Sequence, residues 1–130
     1  MVEKLPEHEL PAIRVLAMPT DTNVAGDVFG GWIMSQVDLA GSVRAGEYTA
    51  CRVVTIAVNS YTFYQPVFVG DLISCYARVQ KVGRTSITID VEVFAQRCRS
   101  AEDVIKVTGA TLTYVAVDDN RKPRVIQPIN

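Results

Sequence analysis

The run Pro19–Trp32, PTDTNVAGDVFGGW, sets two carboxylates, an amide and three glycines directly ahead of an apolar stretch with helical spacing. Asp21, Thr22 and Asn23 are turn and cap types, and Gly26 permits a backbone geometry closed to other side chains. Gly30 and Gly31 leave amides uncovered where the helix begins. Those first amides lack partners within the helix and carry partial positive charge, so an oxyanion forming there is stabilised. With Asp27 beside them, the run offers a base and an oxyanion site together, a pairing suited to attack on a carbonyl. The competing reading makes Asp27 a first-turn acid worth roughly 1 kcal/mol. It makes the paired glycines a close-packing device of helix on sheet.

These residues need elements to hold them. Leu10 to Met18 reads as a first strand ended by Pro19. From Gly30 to about Gly46, apolar residues recur at Ile33, Val37 and Ala40 and again at Trp32, Leu39 and Val43, which predicts a helix slim on one side. The period then changes to two. Strands are expected over Cys51–Tyr64, Leu72–Val82, Ser86–Gln96 and Val104–Val117, separated by Gln65-Pro66, Gly70-Asp71, Gly83-Arg84 and a polar loop from Arg97 to Asp103. The expectation is one α+β domain spanning residues 1–130. Its core runs over about residues 10–118, an antiparallel sheet wraps a single long helix, and a loose basic tail covers 119–130. Such a sheet leaves apolar edges to cover, so self-association is expected.

Composition removes several classes. Thirteen basic and 14 acidic residues give a net charge of −1, no field for nucleic acid or an anionic membrane. No apolar stretch approaches the roughly 20 residues of a membrane helix, and the acidic start MVEKLPEHEL lacks a signal-peptide core, so a cytoplasmic home is expected. Cys51, Cys75 and Cys98 are odd in number and lack a CxxC spacing, which predicts buried free thiols. His8 is the only histidine, so Ser-His or Cys-His chemistry is poorly served and a histidine-rich metal site is excluded within one chain.

Three blocks in order, GDVFGGWIMSQVD, RVVTIAVNSYTFYQPVFVGD and KVGRTSITIDVEVF, resemble the hotdog-fold acyl-CoA thioesterases, nearest the bacterial YciA type, over about Ile13 to Val117. The resemblance implies a hotdog dimer, often a trimer of dimers, with active sites built across subunit interfaces and coenzyme A as the recognised group. It places the catalytic carboxylate at Asp27, as general base or as nucleophile, with Asn23 on the same loop and the backbone of Phe29 to Gly31, Gly30 and Gly31 foremost, as the oxyanion site. It assigns Lys81, Val82, Gly83, Arg84, Thr85 and Ser86 to the pantetheine and phosphate portion of coenzyme A. Arg97, Arg99, Arg121, Lys122 and Arg124 are further phosphate candidates, each with a solvated-cation alternative. The resemblance further implies that the strand from Thr55 to Phe63 crosses the dimer seam and presents Val58, Asn59 and Ser60 to the partner copy's aspartate. Close relatives often carry an acid where Asn59 stands. Tyr61, Phe63 and Tyr64 are candidates for an acyl pocket or for plain core.

Asp38, eleven residues beyond Asp27 on the helix, is the rival acid, with a structural alternative as a polar residue bonded at the seam. The resemblance implies hydrolysis of acyl-CoA to coenzyme A and a carboxylic acid with no metal and no resident cofactor, coenzyme A being part of the substrate. The alternatives are a non-catalytic acyl-CoA sensor, a hydro-lyase and a purely structural oligomer.

Overall fold

The computed structural model describes residues 3–97, 100 and 102–127. Chain order is β1 (Ile13–Leu16), a 3₁₀ turn (Pro19–Asp21), α1 (Gly30–Thr49), β2 (Arg52–Phe63), β3 (Leu72–Val82), β4 (Ser86–Gln96) and β5 (Val104–Val117). The strands make one antiparallel sheet ordered β1-β3-β4-β5-β2, curled about α1, in keeping with the expected hotdog architecture.

The two periodicities meet in the core. Ile87, Ile89, Val91 and Val93 alternate along β4 and are buried, and they belong to one apolar cluster with Ile33, Val37, Ala40 and Ala45 of α1. Each large member contributes about 1.5–3 kcal/mol by leaving water. The slim side of the helix has a specific cause. A Cβ on Gly41 would lie 2.9 Å from Cζ of buried Tyr114 on β5 and closer still to its hydroxyl, so only glycine lets helix and sheet approach there. The helix also outruns its expected end at Gly46. Ala50 takes the left-handed conformation (φ 56°) and its N–H donates to the Gly46 carbonyl at 2.8 Å, so Gly46 receives the capping bond instead of ending the helix.

The C-terminal tail is not loose within the described residues. Pro123 bridges Val117, Arg124 N–H donates to the Ala116 carbonyl (2.8 Å), and Ile126 N–H donates to the Arg84 carbonyl (2.8 Å). Ile126 is 7% exposed and joins the main core, an apolar anchor that holds the tail against the sheet. Of the thiols, Cys75 is buried, Cys51 half-buried, and Cys98 lies outside the described residues.

β2 is an edge strand of 12 residues with bulges between Thr55 and Ala57 and between Val58 and Ser60. Val54, Ile56 and Val58 are 41%, 58% and 45% exposed, and Leu39 and Val43 of α1 remain 52% and 43% exposed. A long apolar edge with unpaired backbone groups is a surface for another strand.

Burial also predicts a response to alkali. It pushes the Cys75 thiol up to about 12 and the Tyr61 hydroxyl up to about 12, with a smaller push on Tyr61 from Cys75. Burial, then the charge of Asp38 and the bond to it, raises Tyr114. The unfolded chain gives up these protons near the ordinary values while the folded chain keeps them. Stability is therefore full below those values and is lost as pH rises through about 9 to 12. Urea midpoints measured across that window are expected to fall steadily, and a level profile would contradict it.

Candidate active site

The loop ahead of α1 spends nearly all its polar side chains on itself. Asp21 Oδ2 accepts from Met18 N–H (2.9 Å), and Thr22 Oγ1 donates to the Pro19 carbonyl (2.7 Å). Asn23 Oδ1 accepts from the N–H groups of Ala25 (2.9 Å) and Asp27 (3.1 Å), while its own N–H donates to the Asp27 carbonyl at 2.8 Å. Gly26 closes this turn at φ +90°. Asn23 is thus a positioning residue of the loop, its amide oxygen used up on backbone. Asp27 stands at the shoulder of the turn, its backbone bridged to Phe68. Its side chain is exposed and, among the described residues, accepts no hydrogen bond and makes no ion pair. Of the acids in the run, Asp27 alone is held by its main chain with its carboxylate uncommitted.

The amides sort themselves equally plainly. Phe29 N–H donates to the Asp21 carbonyl (3.0 Å), which removes it from the expected oxyanion site. The helical pattern opens with Trp32 and Ile33 donating to the Phe29 carbonyl (3.1 and 3.3 Å). Among the described residues, Gly30 and Gly31 between them keep the unpaired amides of the first turn. The two glycines have different reasons to be small. A Cβ on Gly30 would meet the Phe63 ring at 3.1 Å, whereas one on Gly31 would meet nothing within 4 Å. Packing therefore explains the first and leaves the second to be explained by what approaches from outside.

Asp38 is committed elsewhere. Its Oδ1 accepts from Thr55 Oγ1 (2.7 Å) and from the Tyr114 hydroxyl (3.0 Å), which also donates to the Asp38 carbonyl (2.9 Å). It pins α1 to β2 and β5, the structural alternative. Thr55 spends its hydroxyl in the same clamp. The strand register also separates Val58 from Ser60. Val58 pairs with buried Leu112, Ser60 pairs with Thr111, and Asn59, in a bulge, accepts from Thr113 Oγ1 at 2.7 Å. Val58 follows the helix-facing side, while Asn59 and Ser60 share the outer side of the sheet with the threonines.

An apolar cavity of about 350 Å³ abuts the helix start, lined by Val28, Gly30, Ile33, Phe63, Tyr64 and Val67 among others. Tyr61, which reads in the sequence as an acyl-pocket or core aromatic, is not among the residues lining this cavity. Its hydroxyl donates to the Gly30 carbonyl (3.2 Å) and its ring meets Phe63 edge-on at 5.0 Å, so the end of β2 seats the first turn of α1. The one sequence signal for this is that Tyr61 and Phe63 share a parity along the strand.

Lys81 to Ser86 form the β3–β4 hairpin, with Gly83 N–H donating to the Ser86 carbonyl at 2.7 Å and Lys81, Val82 and Arg84 exposed. The hairpin lies at the far end of β3 from Phe68, the bridge partner of Asp27. Eleven strand residues put the two ends about 35 Å apart. One chain therefore does not bring them together. Arg97 stacks on Phe68 at 4.6 Å, donates to the Pro66 carbonyl (2.8 Å) and pairs with Asp71 (3.5 Å), a fully structural set of contacts. Arg99 lies outside the described residues.

Residues 25–102 match the Thioesterase superfamily. The chain is 48% identical over 125 residues to the acyl-CoA thioester hydrolase YciA of Salmonella typhimurium, covering 95% of this chain and 93% of that protein. It is similar to a hexameric hotdog fold thioesterase of Campylobacter jejuni, at 50% identity and a TM-score of 0.86, covering 92% of this chain and 91% of that one. It is similar also to a hexameric thioesterase of Yersinia pestis, at 49% identity and a TM-score of 0.88, covering 96% of this chain and all of that one.

Proposed function

Since the chain belongs to the acyl-CoA thioester hydrolases of the Thioesterase superfamily, we propose that Asp27 activates water against an acyl-CoA thioester whose carbonyl oxygen faces the amides of Gly30 and Gly31. The protein hydrolyses acyl-CoA to free coenzyme A and a carboxylic acid. The single observation that carries the assignment of the acid is commitment: the carboxylates of Asp21 and Asp38 accept hydrogen bonds, and that of Asp27 accepts none among the described residues.

The step follows from these groups. The Asp27 carboxylate takes a proton as the water oxygen bonds to the thioester carbon. Negative charge moves onto the carbonyl oxygen, where two unpaired helix amides and the positive end of the helix dipole receive it. Collapse re-forms the carbonyl, breaks the carbon–sulfur bond and releases a thiolate, which takes the proton from Asp27 or from solvent. A thiolate leaves readily, so no second acid is required, and the step calls on no metal and no resident cofactor. The apolar cavity beside Gly30 takes the first part of the acyl chain.

β2 pairs with β2 of a second copy. A two-fold axis through a continuous sheet makes identical edge strands antiparallel and keeps both helices on one side. The Phe63 end of one strand then lies beside the Arg52 end of the other, so the hairpin of the partner copy approaches the Asp27 loop that its own chain keeps at a distance. Thioesterases of this similarity are hexameric, and three such dimers make the assembly of this chain. No helix among the described residues is long and apolar enough to cross a membrane, and the water-soluble substrate fits a cytoplasmic site.

Incubating the protein with acyl-CoA and a thiol-reactive dye is expected to show steady release of free thiol. Tight binding of coenzyme A with no release for any chain length would instead make the protein a sensor.

A further inference from the structure

We propose that Tyr61 is a positioning residue for the hydrolysis: its hydroxyl holds and polarises the one peptide group whose N–H is the Gly31 half of the oxyanion site. The proposal rests on the acyl-CoA hydrolase reading and adds to it a residue that acts through the backbone rather than on the substrate.

A trans peptide group is planar and carries its C=O and N–H on opposite sides, so whatever grips the oxygen also aims the hydrogen. Each oxyanion amide belongs to such a group. The Gly30 N–H shares its plane with the Phe29 carbonyl, which accepts from Trp32 N–H (3.1 Å) and Ile33 N–H (3.3 Å). The helix itself fixes that plane. The Gly31 N–H shares its plane with the Gly30 carbonyl, and there a bond arrives from outside the helix, donated by the Tyr61 hydroxyl at 3.2 Å. A carbonyl oxygen has two lone pairs, so it takes this bond beside any from the helix ladder. The plane also lies between two glycines, the residues whose backbones resist rotation least, in the first turn of α1. The Cβ position of Gly31 is empty to 4 Å, so packing does not set the aim of its amide.

Tyr61 is itself firmly placed. It stands opposite Ala110 of β5, a small buried residue that leaves room for a ring, and that ring packs against the main core and meets Phe63 edge-on at 5.0 Å. Phe63 in turn lies where a Cβ on Gly30 would come within 3.1 Å, so two neighbouring aromatics of β2 hold Gly30, one at its α-carbon and one at its carbonyl. Burial pushes the Tyr61 hydroxyl up to about 12, with a smaller push from Cys75, which keeps it a donor through the neutral range. An O–H donating to the carbonyl draws electron density through the peptide group and makes the N–H at its other end a stronger donor. The gain falls on the transition state. A thioester oxygen accepts weakly before attack and strongly once it carries charge, so a better-aimed, stronger N–H favours the oxyanion over the bound substrate.

The test is Tyr61→Phe, which deletes the hydroxyl and keeps the ring. Its kcat for acyl-CoA is expected to fall about tenfold with KM held, because the lost bond acts on the oxyanion and not on the bound thioester. Tyr114→Phe is the comparison, since it also deletes a hydroxyl of the core, one bonded to Asp38, and it is expected to lower the melting temperature while the folded enzyme keeps its kcat. A second readout needs no turnover. Gly31 is the only glycine that follows another glycine, so protein labelled with ¹³C and ¹⁵N in glycine alone gives a single carbonyl-to-amide correlation by NMR, from Gly30 C=O to Gly31 N–H. That peak is expected to move in Tyr61→Phe and to keep its place in Tyr114→Phe. An unmoved peak overturns the proposal, as does an unchanged kcat or a loss carried by KM. A parent protein that releases no thiol, with a peak that still moves in Tyr61→Phe, fails the hydrolase reading and leaves the grip of Tyr61 on this peptide group standing.

Discussion

Asp27→Ala is expected to lower kcat for acyl-CoA hydrolysis by about 10³-fold, the scale of a lost general base, with the melting temperature and the size of the oligomer retained. Stability should hold because the Asp27 side chain is exposed and bonded to nothing among the described residues, so the change falls within about 0.5 kcal/mol. The sharp comparison is Asp38→Ala. That change leaves the buried Tyr114 hydroxyl with the Asp38 carbonyl alone and frees Thr55, so it is expected to cost about 1–3 kcal/mol in urea unfolding while the remaining folded enzyme still turns over. Full activity in Asp27→Ala with loss in Asp38→Ala would transfer the catalytic role to Asp38.

The second large effect is expected at the sheet edge. Ile56→Asp with Val58→Asp places two carboxylates on a strand whose apolar side chains are half exposed in a single chain, and their burial in a seam is prohibitive. Light scattering is expected to show monomers, and activity is expected to fall about 10²-fold or more although Asp27, Gly30 and Gly31 are untouched. The reason is distance. About 35 Å of strand separates the Asp27 loop from the hairpin of its own chain, so a monomer offers a substrate either the catalytic loop or the hairpin. A monomeric variant with full activity at low substrate would refute the two-chain site.

Much of this was legible in the residues. The period-two segments from Leu72, Ser86 and Val104 define three strands whose bounds are the observed ones, because alternating β-branched residues have one stable arrangement against an apolar layer. The helix begins at Gly30 as its glycines and apolar spacing require. Residue types and fold part company at the helix end and in the tail. Gly46 looks like a terminator until the Ala50 amide is seen to close on its carbonyl, and the RKPR stretch looks solvated until Ile126 is seen in the core. Both are contacts between residues whose types carry no local sign of them.

The site divides along the same line. Sequence alone determined which groups were present to do the chemistry: a carboxylate four residues after a capping amide and just ahead of paired glycines, and a cation-bearing glycine hairpin downstream. Those depend on residue type and short spacing, which a linear reading contains. Only the tertiary structure decided which groups are still unspent. Asp21, Asn23, Phe29 N–H, Asp38, Thr55 and Arg97 are each taken by a partner, some of them tens of residues away, leaving Asp27 and the Gly30–Gly31 amides. It also decided that the two halves of the site sit at opposite ends of long strands. Hydrogen bonds are consumed in three dimensions, and an antiparallel sheet separates what its hairpins join, so neither fact exists until the chain has folded.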